Sequence, residues 1–445
     1  MSSATILLQP RPYAQASGKL LLLPLLPLKK PAKYLPAELW YHIFAHAILD
    51  DEKATLARSL LIVCKAFKVK SYAPTQQHRL TAHRQEIALP LLYGHVNFIK
   101  ISAFAKFYGI LYAADQKWDS IRRIPYSTPG RWVQTLDLSH LEFAGQAQAL
   151  SFDSTLTFLF PLVPFLTRLS INPSFVISRR ALDALADKDG IGHLRFLEGL
   201  SYIPPSSPLT DDDPFVRLFR HCTALQVLEL IGQGPEPAEL EFLFGKGSGP
   251  ELSVPFLPLN LSNLHTLTVL SMHSSPLMLA LLNSPLPSLK KLTITPYHDI
   301  PYPASMTSPF IEIHGKHLRS LNLLTVRSWP TRLHPSPPTL LHSCPKLHHL
   351  SLERPLTALR LDTNHPLEIL SVPRPDSECW TIVQDLLPKL PALRVIRIRD
   401  MRWLRDGISS RAQAAGVQGE MREWARRLGR NGILVLDAGW NGLKC

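Results

Sequence analysis

The sequence has little cysteine, which limits the disulfides and metal sites it could form and indicates its cellular compartment. The 445 residues include five cysteines, at positions 64, 222, 344, 379 and 445, and none of them forms a CxxC pair. An odd, scattered set excludes a disulfide scaffold and argues against a zinc site. We therefore expect a reducing compartment, the cytoplasm or the nucleus.

Long apolar runs are also scarce. The most apolar stretch, Leu20–Leu28, is interrupted by Pro24 and Pro27 and followed by Lys29 and Lys30. It is too short to span a bilayer and lacks an obvious small-residue cleavage site. We expect no membrane partner, and we assign residues 1–34 to a flexible leader rich in proline and leucine.

Charged residues make up 19% of the chain, and basic residues outnumber acidic ones, giving a formal charge of +13. The excess is strongest between Arg394 and Arg430. No recognised nucleic-acid-binding module accompanies this positive charge, so we expect no nucleic-acid partner. The same charge could attract an acidic protein. Arg397 and Arg399 alternate with isoleucines, which predicts a half-buried strand whose guanidinium groups stay in water.

No residue pattern for catalysis stands out. His42 and His46 have metal-ligand spacing, but no HExxH motif surrounds them. The loop Gly245–Gly249 lacks the GxxxxGK[ST] spacing of a phosphate loop. We therefore predict no catalytic residues, no metal, no cofactor and no enzymatic activity.

Proline and leucine are abundant instead. Forty prolines favour many short elements with abrupt ends. From Trp132 onward a phrase of the form LxxLxL recurs, with successive starts 20–39 residues apart. This is the phrase of leucine-rich repeats. It starts at Val133, Leu166, Leu194, Leu225, Leu264, Leu289, Leu318, Leu347, Leu367 and Leu393, and a last strand-like run starts at Ile433.

The phrase predicts an α/β fold, an irregular solenoid with parallel strands on its concave face and short helices and loops outside. Each unit buries its aliphatic side chains only by stacking on its neighbours, and Cys222 and Cys344, just before two phrases, are expected to be buried thiols. We assign residues 131–445 to this array, ending in a helix–strand cap, and 101–130 to a helical connector. Predicted outer helices are Ser178–Lys188, Pro214–Arg220, Pro276–Leu282 and Asp376–Leu387, and predicted surface loops include Tyr202–Asp213 and Pro296–Ser308.

Before the array, Leu35–Ser71 predicts two short helices. Leu39 and Ile43 lie four residues apart, as do Trp40 and Phe44 beside them, giving one helix a wide apolar stripe. Pro36 suits the first turn of that helix. Short helices of this kind need a packing partner, which is either the rest of the chain or another protein.

This region resembles the F-box of fungal F-box proteins. The resemblance runs through LPxEL at Leu35, VCKxF at Val63 and LPLLYxHV at Leu89, and departs from the family in a longer, polar insertion at 69–86. It implies an F-box-like helical module over residues 35–100 that binds a Skp-type adaptor and, through it, a cullin–RING ubiquitin ligase. The adaptor-facing residues it implies are Leu35, Pro36, Glu38, Leu39, Ile43 and Phe44.

The resemblance and the repeats together predict a substrate receptor that holds an unknown protein target on its leucine-rich repeats. Gln134, Arg168, Lys290, Arg319 and His348 stand between the strand aliphatics and are expected to face outward there. The alternative is a leucine-rich scaffold without catalytic activity whose F-box-like stretch only caps the solenoid.

Overall fold

A computed structural model describes residue 90 and residues 93–116, 129–204, 212–232, 257–272, 275–295, 306–325, 339–353, 359–404 and 416–443. These residues all belong to one unit of the chain, Ala88–Cys445. The leader and the implied adaptor-facing residues Leu35–Phe44 lie outside the described residues.

The described residues form one open sheet of twelve parallel strands, arranged in the order in which they occur in the chain. Each strand pairs with the next one in sequence, as stacked repeats require. The strands are β1 (His95–Asn97), β2 (Thr135–Leu138), β3 (Arg168–Ile171), β4 (Phe196–Tyr202), β5 (Val227–Gly232), β6 (Thr266–Leu270), β7 (Lys291–Ile294), β8 (Ser320–Leu323), β9 (His349–Ser351), β10 (Ile369–Val372), β11 (Val395–Ile398) and β12 (Leu434–Leu436).

Every LxxLxL phrase overlaps one of these strands, so the predicted α/β repeat solenoid is confirmed. The fourth residues of consecutive phrases are register partners, as Leu136 is with Leu169 and Leu292 is with Leu321. This fourth-position ladder is buried throughout, and Val435, the register partner of Ile396 in the last run, continues it. The residues at most 5% exposed are Leu136, Leu169, Leu197, Leu228, Leu267, Leu292, Leu321, Leu350, Leu370, Ile396 and Val435. Fully burying each such side chain is worth about 1.5–3 kcal/mol.

The sheet begins earlier in the chain than the predicted array. Strand β1 pairs with β2 through His95–Thr135 and Val96–Leu136, although residues 35–100 were assigned to the F-box-like module and the repeats to 131–445. Helix α1 (Ile101–Gln116), in the predicted connector 101–130, packs Phe104, Phe107 and Leu111 into the same core. The first structural repeat therefore includes the chain on both sides of the predicted boundary at residue 100.

The other described helices follow the strands. They are α2 (Gln146–Leu159), α3 (Arg179–Ala186), α4 (Pro214–His221), α5 (Pro276–Asn283), α6 (Thr307–His314), α7 (Leu340–Ser343), α8 (Ser377–Leu386) and α9 (Gly416–Gly429). The four predicted outer helices correspond to α3, α4, α5 and α8. Their N-caps are Ser178, Asp213, Ser275 and Asp376, whose side-chain oxygens each accept a hydrogen bond from a first-turn N–H.

The predicted burial of two cysteine thiols is confirmed. Cys222 and Cys344 are fully buried, and burial raises the pKa of each thiol to about 12. Thiols in this state are poor nucleophiles and act as small apolar side chains.

The predicted surface loop Tyr202–Asp213 is buried at both ends. Tyr202 is 1% and Asp213 is 0% exposed, and the Tyr202 hydroxyl donates a 2.7 Å hydrogen bond to the Asp213 carboxylate. Asp213 also caps α4, so a single carboxylate joins a strand end to the next helix start. The residues between these ends, 205–211, lie outside the described part of the chain.

Lys188 is a buried cation between α3 and the next strand. It is 4% exposed, and its ammonium group donates to the carbonyls of Val163 and Pro164 at 3.3 and 3.2 Å. Burial lowers the pKa of Lys188 to about 8, although Cys222 and Asp189 act in the opposite direction. The folded state therefore holds this proton less tightly than the unfolded state does.

Lys188 makes folding stability depend on pH in a defined direction. Between about pH 8 and the ordinary lysine pKa of 10.5, the Lys188 side chain binds more protons in the unfolded chain, so its contribution to stability rises with pH. The buried thiols of Cys222 and Cys344 act in the opposite direction in both wild type and Lys188→Met. The free energy of unfolding of wild type minus that of Lys188→Met should therefore rise by about 1–2 kcal/mol between pH 7.5 and 9.5. Urea unfolding of both proteins at the two pH values measures it.

Exposed Lys106 on α1 provides the control. The difference between wild type and Lys106→Met should stay constant over the same pH range. A wild-type minus Lys188→Met difference that does not change with pH would contradict the lowered pKa.

Candidate partner-binding surface

The residues predicted to face outward lie along one edge of the sheet. Gln134, Lys290, Arg319 and His348 are exposed, and each precedes or begins a strand. Arg168 is half-buried, and its guanidinium lies 4.2 Å from the centre of the Phe196 ring. The exposed residues therefore mark the edge where the parallel strands begin.

The sheet face opposite the fourth-position ladder is called the open face here. It is formed by the third and fifth residues of each phrase, because neighbouring residues of a strand point to opposite sides. Its fifth-position row is mostly polar or charged, and it is the row that carries the carboxylates. The row comprises Asp137, Ser170, Glu198, Glu229, Thr268, Thr293, Asn322, Ser351, Ser371 and Arg397.

A cavity of about 360 Å³ lies on the open face across β2–β5. Three carboxylates, those of Asp137, Glu198 and Glu229, line it together with one cation, Arg168. Glu198 accepts a 2.8 Å hydrogen bond from the Ser170 hydroxyl and lies 3.8 Å from Arg168 Nε. The cavity is therefore polar, and its charged side chains carry a net negative charge.

An extra residue in β4 shapes this cavity. The register between β4 and β5 shifts between Leu197 and Leu200, so Glu198 and Gly199 together oppose Glu229. Gly199 has φ +70°, and its N–H donates to the Glu229 carboxylate. The pKa of Glu229 is raised, chiefly by burial, with the nearby Glu198 adding to the effect. A β-bulge of this kind redirects side chains and increases local twist.

Gly199 should not tolerate a side chain. A Cβ at this position would lie 2.0 Å from the Ile171 carbonyl oxygen, and the positive φ disfavours other residues. We expect Gly199→Ala to lower the free energy of unfolding by about 2–4 kcal/mol. Denaturant unfolding measures the change.

Gly109 in α1 is the matched control, because a Cβ there meets nothing within 4 Å. Gly109→Ala should be neutral or stabilising by up to about 1 kcal/mol, as in other helix interiors. Equal effects of the two substitutions would contradict the bulge geometry.

The C-terminal residues fold against the last strands of the open face. Arg397 donates a 2.7 Å hydrogen bond to the Ala438 carbonyl, and its guanidinium lies 4.5 Å from the centre of the Trp440 ring. Buried Asp437 accepts from the backbone N–H groups of Trp403 and Asn441. These contacts hold the segment after β12 over the end of β11.

His349 links three strands of the same region. Its ring nitrogens lie 3.2 Å from the Ser320 hydroxyl and 2.9 Å from the Ser371 hydroxyl. The pKa of His349 is lowered, chiefly by burial and further by Arg397. A neutral imidazole therefore bridges β8, β9 and β10.

The expectation that the strand arginines keep their charged ends in water is wrong for Arg399. Its side chain is 16% exposed, and its guanidinium lies 2.7 Å from Glu353 and 3.0 Å from Asp400. It also donates to the carbonyls of Leu323 and Leu352 at 3.3 Å. The arginine is partly desolvated because two carboxylates and two carbonyls replace water.

Periodicity alone did not single out the cavity residues Asp137, Glu198 and Glu229. A usable signal was present, since each occupies the fifth position of its phrase.

The end of the F-box-like motif LPLLYxHV lies in the repeat array and not in a separate helical module. Its Tyr93 ring stacks on Phe107 at 6.1 Å, and its His95 and Val96 lie in β1, so this end of the motif belongs to the first repeat.

Within the described ranges, no group of three or more His, Cys, Asp or Glu side chains could hold a metal ion. In the same ranges, no helix is both long and apolar enough to cross a membrane.

Comparison with known proteins shows only weak structural likeness. No family model matches the chain, and no curated protein matches it. The crystal structure of the Rad7 and Elc1 complex in yeast aligns over 84% of this chain and 90% of its own chain, with 13% identity and a TM-score of 0.28. Values this low support no statement about function, and the fold rests on the strand pairing described above.

Proposed function

We propose that the chain is a substrate receptor of a Skp–cullin–F-box ubiquitin ligase, acting without catalytic residues of its own in the cytoplasm or nucleus. In this proposal the F-box-like segment binds the Skp-type adaptor, and the open face of the repeats binds a target protein. The adaptor then links the target to a cullin–RING ligase.

The observation that carries the proposal is the order of two signals in the chain. An F-box-like run with an apolar stripe through Leu39 and Ile43, with Trp40 and Phe44 beside them, precedes a leucine-rich array. A leucine-rich solenoid presents an extended surface to macromolecules rather than a closed active site. The polar open face over β2–β11 is consistent with such a surface, and its cavity provides one feature that a target side chain could fill.

A second candidate is a leucine-rich scaffold in which the F-box-like stretch caps the solenoid. One observation favours it: Tyr93 and Val96, from the last part of the F-box-like run, pack against the core of the first repeat. That observation concerns residues 93–98, whereas the implied adaptor-facing residues are Leu35–Phe44. The two candidates therefore differ in what Leu35–Phe44 contact.

Capture by a purified Skp-type adaptor separates the two candidates. The full-length chain should be retained on immobilised adaptor, and Leu35→Ala/Pro36→Ala should reduce retention at least tenfold by removing the apolar contact at the helix start. Quantitative pull-down measures the fraction retained.

The leader offers a matched control, because Leu23 and Pro24 repeat the same dipeptide outside the motif. Leu23→Ala/Pro24→Ala should be retained like wild type. Absence of retention by a well-folded wild-type chain would reject the receptor proposal and leave the scaffold.

A further inference from the structure

A concentration of positive charge lies where three neighbouring strands begin. Residues just before or at the starts of β7, β8 and β9 include five exposed cations. We call this set the basic rim; it consists of Lys290, Lys291, Lys316, Arg319 and Lys346.

The parallel topology brings these residues together. Backbone bonds join the strand starts in turn: Arg319 N–H donates to the Lys290 carbonyl at 2.8 Å, and His348 N–H donates to the Arg319 carbonyl at 2.9 Å. Neighbouring strands lie about 4.8 Å apart, so the side chains from successive strands stand in one row. Lys316 and Lys346 lie in the turns that lead into β8 and β9.

Few carboxylates balance this row. Among the described residues, no salt bridge joins Lys290, Arg319 or Lys346 to a carboxylate, and the nearest acidic contact along the row is Glu368 with His348 at 3.2 Å. Like charges side by side on adjacent strands repel each other and lower stability. Such a row is favourable when an oppositely charged partner occupies it.

We infer that the basic rim binds an acidic segment of the protein held by the repeats. This inference rests on the proposed function and specifies the chemistry of the target. Aspartate and glutamate side chains would meet Lys290, Arg319 and Lys346 in turn, while the rest of the target contacts the adjoining open face. The charge also accelerates encounter with an acidic target.

An acidic protein segment fits the rim better than nucleic acid does. Proteins that bind single-stranded nucleic acid combine a basic groove with aromatic side chains that stack on the bases. The described strand starts Leu286–Leu292, His314–Ser320 and Ser343–His349 contain no phenylalanine, tyrosine or tryptophan. The strand starts themselves therefore supply charge without aromatic side chains. Trp440, whose ring centre lies 6.3 Å from that of His349, is packed against the Arg397 guanidinium.

The test uses the full-length chain and two labelled probes of matched charge, a decaglutamate peptide with blocked termini and an eleven-nucleotide oligothymidylate, which has ten phosphodiesters. Fluorescence anisotropy at 50, 150 and 300 mM salt should show tighter binding of the peptide, weakening as salt rises. Lys290→Glu/Arg319→Glu/Lys346→Glu, with one change at each strand start, should weaken peptide binding at least tenfold at 50 mM salt.

The matched control reverses three exposed charges away from the rim, in or next to outer helices: Lys106→Glu/Arg179→Glu/Arg430→Glu. This control has the same net charge as the rim variant, but its changed residues lie away from the rim. It should therefore bind the peptide within about threefold of wild type at 50 mM salt. Equal losses in both variants, tighter binding of the oligothymidylate, or no peptide binding would each overturn the inference.

Adaptor capture distinguishes failure of this inference from failure of the proposed function. If the wild-type chain is retained on the adaptor but ignores the peptide, the rim inference alone is overturned. If rim reversal abolishes peptide binding and leaves adaptor capture unchanged, the acidic-segment assignment is supported.

Discussion

The fold depends on one constraint: a repeat can bury its leucines only against the leucines of the next repeat. The fourth-position ladder meets this constraint from Leu136 to Val435, with each member at most 5% exposed. A strand of four residues is too short to be stable alone, so its stability comes from stacking. The same ladder fixes which residues face away from the core, because a strand that turns its fourth and sixth positions toward the core places its third and fifth on the opposite face.

The open face is therefore free to vary in chemistry without affecting the core. Its carboxylates gather at β2–β5, where the Gly199 bulge places Glu198 and Glu229 on the same cavity. Toward β11, the open face carries hydroxyl side chains and a neutral His349, followed by Arg397, which the C-terminal segment covers. One regular backbone thus supports different polar environments along its length.

Much of this fold could be predicted because leucine at fixed intervals marks each strand. Strand β1 escaped prediction because Val96 is its only aliphatic residue, and Tyr93 and Phe98 on either side of the strand supply apolar contacts in place of leucines. The cavity depends on the left-handed backbone at Gly199, which the phrase LRFLEG does not distinguish from an ordinary strand glycine. Apart from the adjacent Asp400, the partners of Arg399 lie 46–76 residues away in sequence, beyond the reach of any local pattern.

Arg399 also changes how the array should respond to stress. Repeat proteins normally couple only neighbouring units, so that terminal units can open one at a time. The Arg399 side chain instead extends from the end of β11 to carbonyls at the ends of β8 and β9. Opening either end of this span leaves a partly buried charge without its partners, which couples four consecutive units into one cooperative block. The units from β8 to β11 should consequently resist local opening better than nearest-neighbour stacking alone would allow.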